Sequence, residues 1–384
     1  MKTTISIIKI FGIALLFSFS LIAQNSHSPT PKISEGAKNI LWIYVEDTNP
    51  WMSCYGDTVI TTPQIDRLAS EGVLFKRAYM TSGVCSPTRS AIITGMYQTS
   101  IGAHEHYSSF SMWRGNKMEV WEPNHIGVRT LPEIFKSAGY YTFNEGKEHY
   151  NFVYQTEDLY DRFGDDGFKG AKNGTEWTGR GDDQPFFGQI QLRGGKYVNP
   201  PEIVKPKDVD VMPYYPDIQI FREEIANHYN TILKLDEIVG DIIQRLKEDG
   251  LYENTVVFFF SDHGSRLPRH KQFIYDGGIR VPLIIAGPGI AINKVRDDLV
   301  SSLDISATTL ALAGIEIPDH MHGMNVFAED FHRDYVIAAR DRCDFTIDRI
   351  RTVISDRYQY IRNFMTDKPY MQSNYRDDWE TMKT

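Results

Sequence analysis

Cys85 stands in a run of residue types that could do chemistry: Gly83-Val84-Cys85-Ser86-Pro87-Thr88-Arg89-Ser90, followed by Ala91-Ile92-Ile93-Thr94-Gly95. Pro87 fits the first turn of a helix, so Cys85 lies near a helix N-terminus. That position favours anions and lowers a thiol pKa. Arg89, one turn on, projects to the same face, where a guanidinium can hold an oxyanion by two parallel bonds. A buried structural cysteine in a helix cap has the same local sequence, so this run alone decides nothing. Two acidic pairs add to it. The apolar run Asn39–Val45 leads into Glu46-Asp47, and Thr255–Phe260 leads into Ser261-Asp262-His263-Gly264. Carboxylates delivered by two buried strands to one sheet edge are what a hard divalent cation needs. Taken singly, each is also an ordinary strand-end turn.

The elements that must position these residues alternate. Asn39–Val45 is a continuous apolar run of strand length. Thr62-Pro63 opens a helix through Ile65, Leu68 and Ala69. Leu131–Ala138 reads as a helix stopped at Gly139, and Tyr140–Phe143 as the next strand. Phe221–Leu246 keeps helical apolar spacing through Ile225, Ile232, Leu235, Val239 and Ile242. Thr255–Phe260 and Pro282–Ala286 are further buried strands, and a helix follows near Ile305–Ala313. Strands alternating with helices predict an α/β fold with a large, mainly parallel sheet flanked by helices. Ligands then bind beyond the C-terminal strand ends. After about residue 325 the pattern changes. Tyr335–Ala339, Arg351–Ser355 and Tyr358–Phe364 are short strand-like runs, which predict a small antiparallel subdomain. Residues 367–384 show no clear period, and the subdomain is expected to be incomplete.

The chain has 384 residues, 41 % hydrophobic and 24 % charged, enough to bury a full core. Its formal net charge of −9 argues against a general nucleic-acid binder. Lys2 and Lys9 precede the apolar run Ile10–Ala23 and a polar exit at Gln24. That order describes a secretory signal over residues 1–24, because the run is shorter than the roughly 20 residues that span a bilayer. No cysteine follows it, so no stable membrane anchor is expected, and the protein is expected to be periplasmic or secreted. Residues 25–38 read as a linker, 39–325 as a catalytic α/β domain and 326–384 as the C-terminal subdomain. Three cysteines cannot all pair. Cys54 and Cys343 are expected to be buried free thiols.

In order along residues 39–364, these segments resemble the type I sulfatases of the alkaline phosphatase superfamily. Cys85-Ser86-Pro87-Thr88-Arg89 through Thr94-Gly95 matches the motif C-[SA]-P-[ST]-R-x-x-[LI]-x-T-G. Asn39–Asp47 looks like the family's opening strand with its metal-binding acids. Thr62–Leu68 looks like its T-P-N-[LI]-D-x-L helix. Gly139-Tyr140-Tyr141-Thr142 with Gly146-Lys147-Glu148-His149 looks like G-Y-x-T…G-K-x-H. Ser261–Gly264, Lys271 and Gly277-Gly278-Ile279-Arg280-Val281-Pro282 look like D-[NH]-G…K…G-G-x-R-V-P, and Asp304–Gly314 like its D-I-x-x-T-x-L-x-x-A-G helix.

The resemblance implies an alkaline-phosphatase-like sandwich and hydrolysis of sulfate esters. It implies that Cys85 is converted by a maturation enzyme to formylglycine, whose hydrate attacks sulfur and then expels sulfate. It implies one calcium ion on Glu46, Asp47, Asp262 and the modified Cys85. Arg89 and Lys147 would neutralise sulfate oxygens, His149 would orient or deprotonate the nucleophile, and Lys271 would contact the sulfate or the bridging oxygen.

Three departures stand out. Glu46-Asp47 replaces the usual Asp-Asp. His263 replaces the usual Asn; imidazole is a poor calcium ligand, so His263 is placed either on the metal or on sulfate or Asp262. The family's second histidine is missing, because Pro185–Leu192 leads to Arg193-Gly194-Gly195-Lys196. Lys196 takes that place, or His104 or His106 reaches in from the loop after the Cys85 helix; the sequence leaves these open.

Aromatic residues near expected loops (Trp113, Trp121, Tyr150, Trp177, Tyr197) fit a sugar substrate, although core packing is the commoner fate of each. Arg340-Asp341-Arg342 and Arg349-Ile350-Arg351 fit a uronate or a second sulfate. The expected substrates are sulfated polysaccharide-derived oligosaccharides of algal-ulvan or glycosaminoglycan type. The alternatives are a phosphodiesterase or phosphonate monoester hydrolase of the same superfamily, and a non-catalytic glycan-binding relative.

Overall fold

The computed structural model describes residues 36–106, 127–164, 176–343 and 347–369. The proposed signal segment, Trp113, Trp121 and the last residues lie outside these. In chain order the elements are β1 (Asn39–Val45), α1 (Pro63–Ser70), β2 (Gly72–Tyr79), α2 (Cys85–Thr94), α3 (Leu131–Ser137), β3 (Tyr141–Glu145), α4 (Thr156–Leu159), β4 (Arg162–Gly164) and β5 (Phe186–Leu192). Then come α5 (Gln219–Glu248), β6 (Thr255–Ser261), α6 (Asp276–Ile279), β7 (Arg280–Ala286), β8 (Lys294–Ser301), α7 (Ser302–Leu312), β9 (Tyr335–Arg340), β10 (Ile350–Ser355) and β11 (Gln359–Asn363).

The eight-stranded sheet has the order β4-β3-β5-β1-β6-β7-β2-β8. Its strands run one way except β7, which is antiparallel to both β6 and β2. β1 is central and fully buried, and its side chains alternate between two cores. Leu41, Ile43 and Val45 meet α1 and α5 through Ile65, Leu68, Ile232 and Leu235. Ile40, Trp42 and Tyr44 meet α2, α3 and α7 through Ile92, Leu131, Ile134 and Ile305. Each fully buried side chain of this size contributes roughly 1.5–3 kcal/mol, so the sheet is a rigid platform for whatever leaves its edge.

The small sheet β11-β10-β9 is antiparallel, as expected from the sequence. A third cluster seats it on the main body, joining Val336, Ala338, Ile350 and Ile354 to Tyr79, Ile274, Ile279 and Leu299. Among the described residues no helix is long and apolar enough to cross a membrane.

Several strands escape a reading by hydrophobic runs. β8 is Lys-Val-Arg-Asp-Asp-Leu-Val-Ser, exposed along its first half, because it is an edge strand that need not be apolar. β5 hides Gln189 and Gln191 among its apolar residues.

Candidate active site

β1 and β6 pair in parallel with Val45 opposite Ser261. The residues just past both strands therefore emerge side by side. The Asp47 backbone is left-handed (φ 51°). Its N–H donates to Asp262 Oδ1 at 3.2 Å, and the Thr48 N–H donates to Ser261 Oγ at 3.1 Å. These bonds knit the two acidic turns together. From the other side β5 adds its own turn. Gly194 and Gly195 let Arg193–Lys196 lie flat on the acids: a Cβ would fall 2.2 Å from Glu46 O at Gly194 and 2.2 Å from Asp47 O at Gly195.

Cys85 opens α2, a helix buried on every side. Its Sγ lies 3.1 Å from His263 Nε2. The His263 Nδ1–H donates to Gly264 O at 2.9 Å, which turns Nε2 to the cluster. That nitrogen is also 3.4 Å from an oxygen of Asp47 and of Asp262. Ligand atoms of Asp47, Cys85 and His263 lie within 4.8 Å of one another, and so do those of Glu46, Cys85 and Asp262.

Four cations surround these acids. Arg89 donates from Nε and Nη2 to Asp262 Oδ2 at 3.3 and 3.2 Å, and from Nη2 to Glu46 Oε1 at 3.3 Å. Its Nη1 donates to Gln191 Oε1 at 2.7 Å, and its guanidinium covers the Tyr44 ring. Lys271 donates to both oxygens of Asp47 at 2.9 and 3.0 Å. Lys196 donates to Glu46 Oε2 at 2.8 Å and faces Asp47 at 3.4 Å; Lys147 also donates to Glu46. The Lys271 loop is tied to the cysteine turn, because the Gln272 N–H donates to Gly83 O at 2.7 Å.

Burial alone would raise the Glu46 carboxyl, but Lys147, Lys196 and Arg89 hold it down at about 2. The same balance keeps Asp47 ionised through Lys196 and Lys271. Asp262 is raised by its complete burial. Burial also opposes the Cys85 thiolate, yet Lys147, Lys271 and Lys196 lower it well below an ordinary thiol. His149 is held neutral, lowered to about 3 chiefly by burial. This cluster keeps a thiolate and the acidic side chains together only by surrounding them with cations. It is suited to an anionic ligand and, through its convergent oxygens, to a hard divalent cation.

Of the residues singled out from sequence, Glu46, Asp47, Cys85, Arg89, Lys147, Lys196, Asp262, His263 and Lys271 meet here. His106 and His149 gather on Cys85 as well. His104 does not join the groups around Cys85 among the described residues, and its Nδ1 is buried without a hydrogen bond. Gln191 and Tyr44 were missed; the buried polar alternation of β5 was the available signal.

The aromatic side chains take the core alternative, and the expectation of a buried Cys54 needs correction. Trp177 is a core residue, 0 % exposed, stacked near Phe186, because β5 and α5 close over it. Tyr150 is spoken for: it bonds to Tyr160 and stacks on Phe152. Tyr197 packs against the core rather than standing free. Arg340, Arg342 and Arg351 face Asp348, Glu105 and Asp341, which offsets their charge. Cys54 is half-buried and Cys343 buried; both are free thiols.

The sequence model of the sulfatase family matches residues 38–218 and 171–315. The chain belongs to the sulfatase family. A second model, the C-terminal region of N-sulphoglucosamine sulphohydrolase, matches residues 269–382. An ulvan-active sulfatase of Formosa agariphila is 33 % identical over 90 % of this chain and 64 % of its own length. Human N-sulphoglucosamine sulphohydrolase is 26 % identical over 74 % of this chain and 62 % of its own length. The chain thus spans less than two thirds of these relatives. Among solved structures, a 2-O glycosaminoglycan sulfatase superposes with a TM-score of 0.69 at 20 % identity, covering 85 % of this chain and 83 % of its own. A protein bound to D-glucosamine-2-N,6-O-disulfate superposes at 0.68 and 18 % identity, covering 86 % and 89 %. These establish that the sulfatase fold is shared.

Proposed function

We propose that this member of the sulfatase family hydrolyses sulfate esters on acidic, polysaccharide-derived oligosaccharides outside the cytoplasm. O-sulfate esters are the first choice and N-sulfate groups, which are sulfamates cleaved at S–N, the second. The observation that carries this reading is the setting of Cys85: it heads α2, 3.1 Å from His263, inside a ring of three buried acids and four cations. The relatives named for ulvan and for N-sulphoglucosamine support the substrate class.

Oxidation of Cys85 to formylglycine by a maturation enzyme would supply a hydrated aldehyde as the nucleophile. Glu46, Asp47, Asp262 and residue 85 would hold a calcium ion, which polarises sulfate oxygens. The donors fit a divalent cation, since ligand atoms of Glu46 and Asp262 lie within 4.8 Å of each other and of Cys85 Sγ, and Asp47 and His263 form a second such group with the same sulfur. Lys147 and Lys196 are only partly buried, with 20 and 31 % of their side chains exposed. They line the open side, where an arriving sulfate would draw them off Glu46. Arg89 and Lys271 are 1 % exposed and hold the acids in register. His149, neutral at working pH, accepts a proton at the nucleophile.

The deciding experiment is mass spectrometry of the Cys85 peptide from native-host protein, beside turnover of sugar sulfates and matched phosphate esters. Formylglycine at 85 with a preference for sulfate is expected. An intact alkylatable thiol in active protein, or a large preference for phosphate, refutes the reading.

A further inference from the structure

The same edge of the main sheet carries a second concavity. It is a cleft of about 390 Å³ between the turn after β1, the segment before α5 and the turn that opens β7. That volume lies within the roughly 300–1,000 Å³ of small-ligand sites. Trp51 and Tyr214 supply its aromatic lining, and Asp57, Asp276 and Arg280 its charged lining. No member of the Cys85 cluster lines it. Two consecutive residues part the sites: Lys271 donates to Asp47, whereas His270 turns to Tyr214, whose hydroxyl lies 3.0 Å from its Nε2.

The walls are fixed by the fold. The Trp51 ring packs on Tyr229 of α5 with centroids 5.3 Å apart, and Asp57 accepts from the Tyr229 hydroxyl at 2.7 Å. Asn49 donates to Gly277 O at 3.0 Å and accepts from the Ser265 N–H at 2.8 Å. Gly277 approaches His270 so closely that a Cβ would fall 2.3 Å from the imidazole. The ligand-binding groups themselves are unspent. Tyr214 is 48 % exposed. Among the described residues, Trp51 Nε1, the Asp276 carboxylate and the terminal nitrogens of Arg280 have no hydrogen-bond partner; Arg280 uses only Nε, on Lys76 O.

Aromatic faces beside free donors and acceptors suit a sugar ring. Its C–H face stacks on the aromatic, and its hydroxyls both give and accept hydrogen bonds. The lining sets two carboxylates against one guanidinium, the reverse of the four cations around Cys85. A sulfated ring belongs at the cations, and the carboxylates of the cleft repel it. We infer that this cleft binds an unsulfated sugar ring of the polysaccharide, apart from the ring that loses its sulfate. That the ligand is a sugar rests on the sulfatase reading above.

The test is isothermal titration calorimetry of the whole protein with chemically desulfated oligosaccharides from ulvan and from heparan sulfate, beside turnover of the sulfated ones. Wild type should bind a desulfated oligosaccharide. Tyr214→Ala and Asp276→Ala should each weaken that binding roughly 5–10-fold, the worth of one aromatic contact or one hydrogen bond. Asp276 is exposed, so its truncation keeps the test valid if loss of Tyr214 disturbs His270. Wild type that binds no desulfated oligosaccharide, or variants that bind as wild type does, overturn the inference and leave the sulfatase reading standing. Binding that the variants weaken, in protein that turns over no sulfate ester, supports the cleft and removes the sulfatase reading alone.

Discussion

His263 Nε2 lies 3.1 Å from Cys85 Sγ, although the two residues stand 178 positions apart. One leaves the central strand β6 and the other opens α2, so their distance reports how the acid turns and the nucleophile helix are docked. If Nε2 contributes to a divalent-cation site, His263→Ala lowers calcium affinity by at least the roughly 10–100-fold that losing an outer partner of a metal ligand costs. Calorimetric titration of chelator-treated protein measures this. Identical binding isotherms for the two proteins exclude the role.

Gly195 lies against the acidic turn, where an added Cβ would sit 2.2 Å from the Asp47 carbonyl oxygen. That neighbour is backbone and cannot swing aside. Gly195→Ala should destabilise the fold by about 1–3 kcal/mol, the usual cost of overpacking. It should also weaken cation binding, because Asp47 must move. Urea unfolding and the same titration read both effects; an unperturbed midpoint contradicts the close approach.

Arg89 and Lys147 carry the same charge in different surroundings. Arg89 is 1 % exposed and bridges Glu46 and Asp262, whereas Lys147 is 20 % exposed. Arg89→Ala strands two buried carboxylates and should cost about 3–5 kcal/mol of stability. Lys147→Ala should leave stability nearly unchanged and reduce turnover. Denaturant melts of the pair decide it, and equal stabilities would contradict the assignment of Arg89 to the framework.

Asp236 on α5 accepts hydrogen bonds from the Gln64 and Ile65 N–H groups at 3.0 and 2.8 Å, capping α1. Burial nevertheless pushes its carboxyl up to about 6. The folded state therefore binds this proton more tightly than the unfolded chain does. Its contribution to stability is greatest at low pH and declines as pH rises from about 4 to about 6. Asp236→Asn keeps one acceptor oxygen and removes the titration. Melting curves of the variant should lack this component between pH 4 and 6; an unchanged slope would assign it elsewhere.

Much of the site could be read before any coordinates. Asn39–Val45 and Thr255–Phe260 are uninterrupted apolar runs, and each ends on acids, so strand polarity alone places Glu46, Asp47 and Asp262 at strand ends. The Pro87 turn likewise marks the start of α2. These are local properties, written in adjacent residues by propensity and hydrophobic pattern. Whether two strand ends are neighbours is not local. It depends on β1 pairing with β6 across more than half the chain, which only packing decides. The same holds for His106. Nothing in Ala103-His104-Glu105-His106 distinguishes one imidazole from the other. Backbone pairing with Arg342, in the segment after β9, holds His106 beside Cys85. Trp177 is a core residue whose partners, Phe186 and Arg245, come from distant elements that its local sequence does not name. Sequence determined the residue types and the ends of the elements. Tertiary structure decided which ends meet, because burial and long-range backbone pairing set distances that no local pattern encodes.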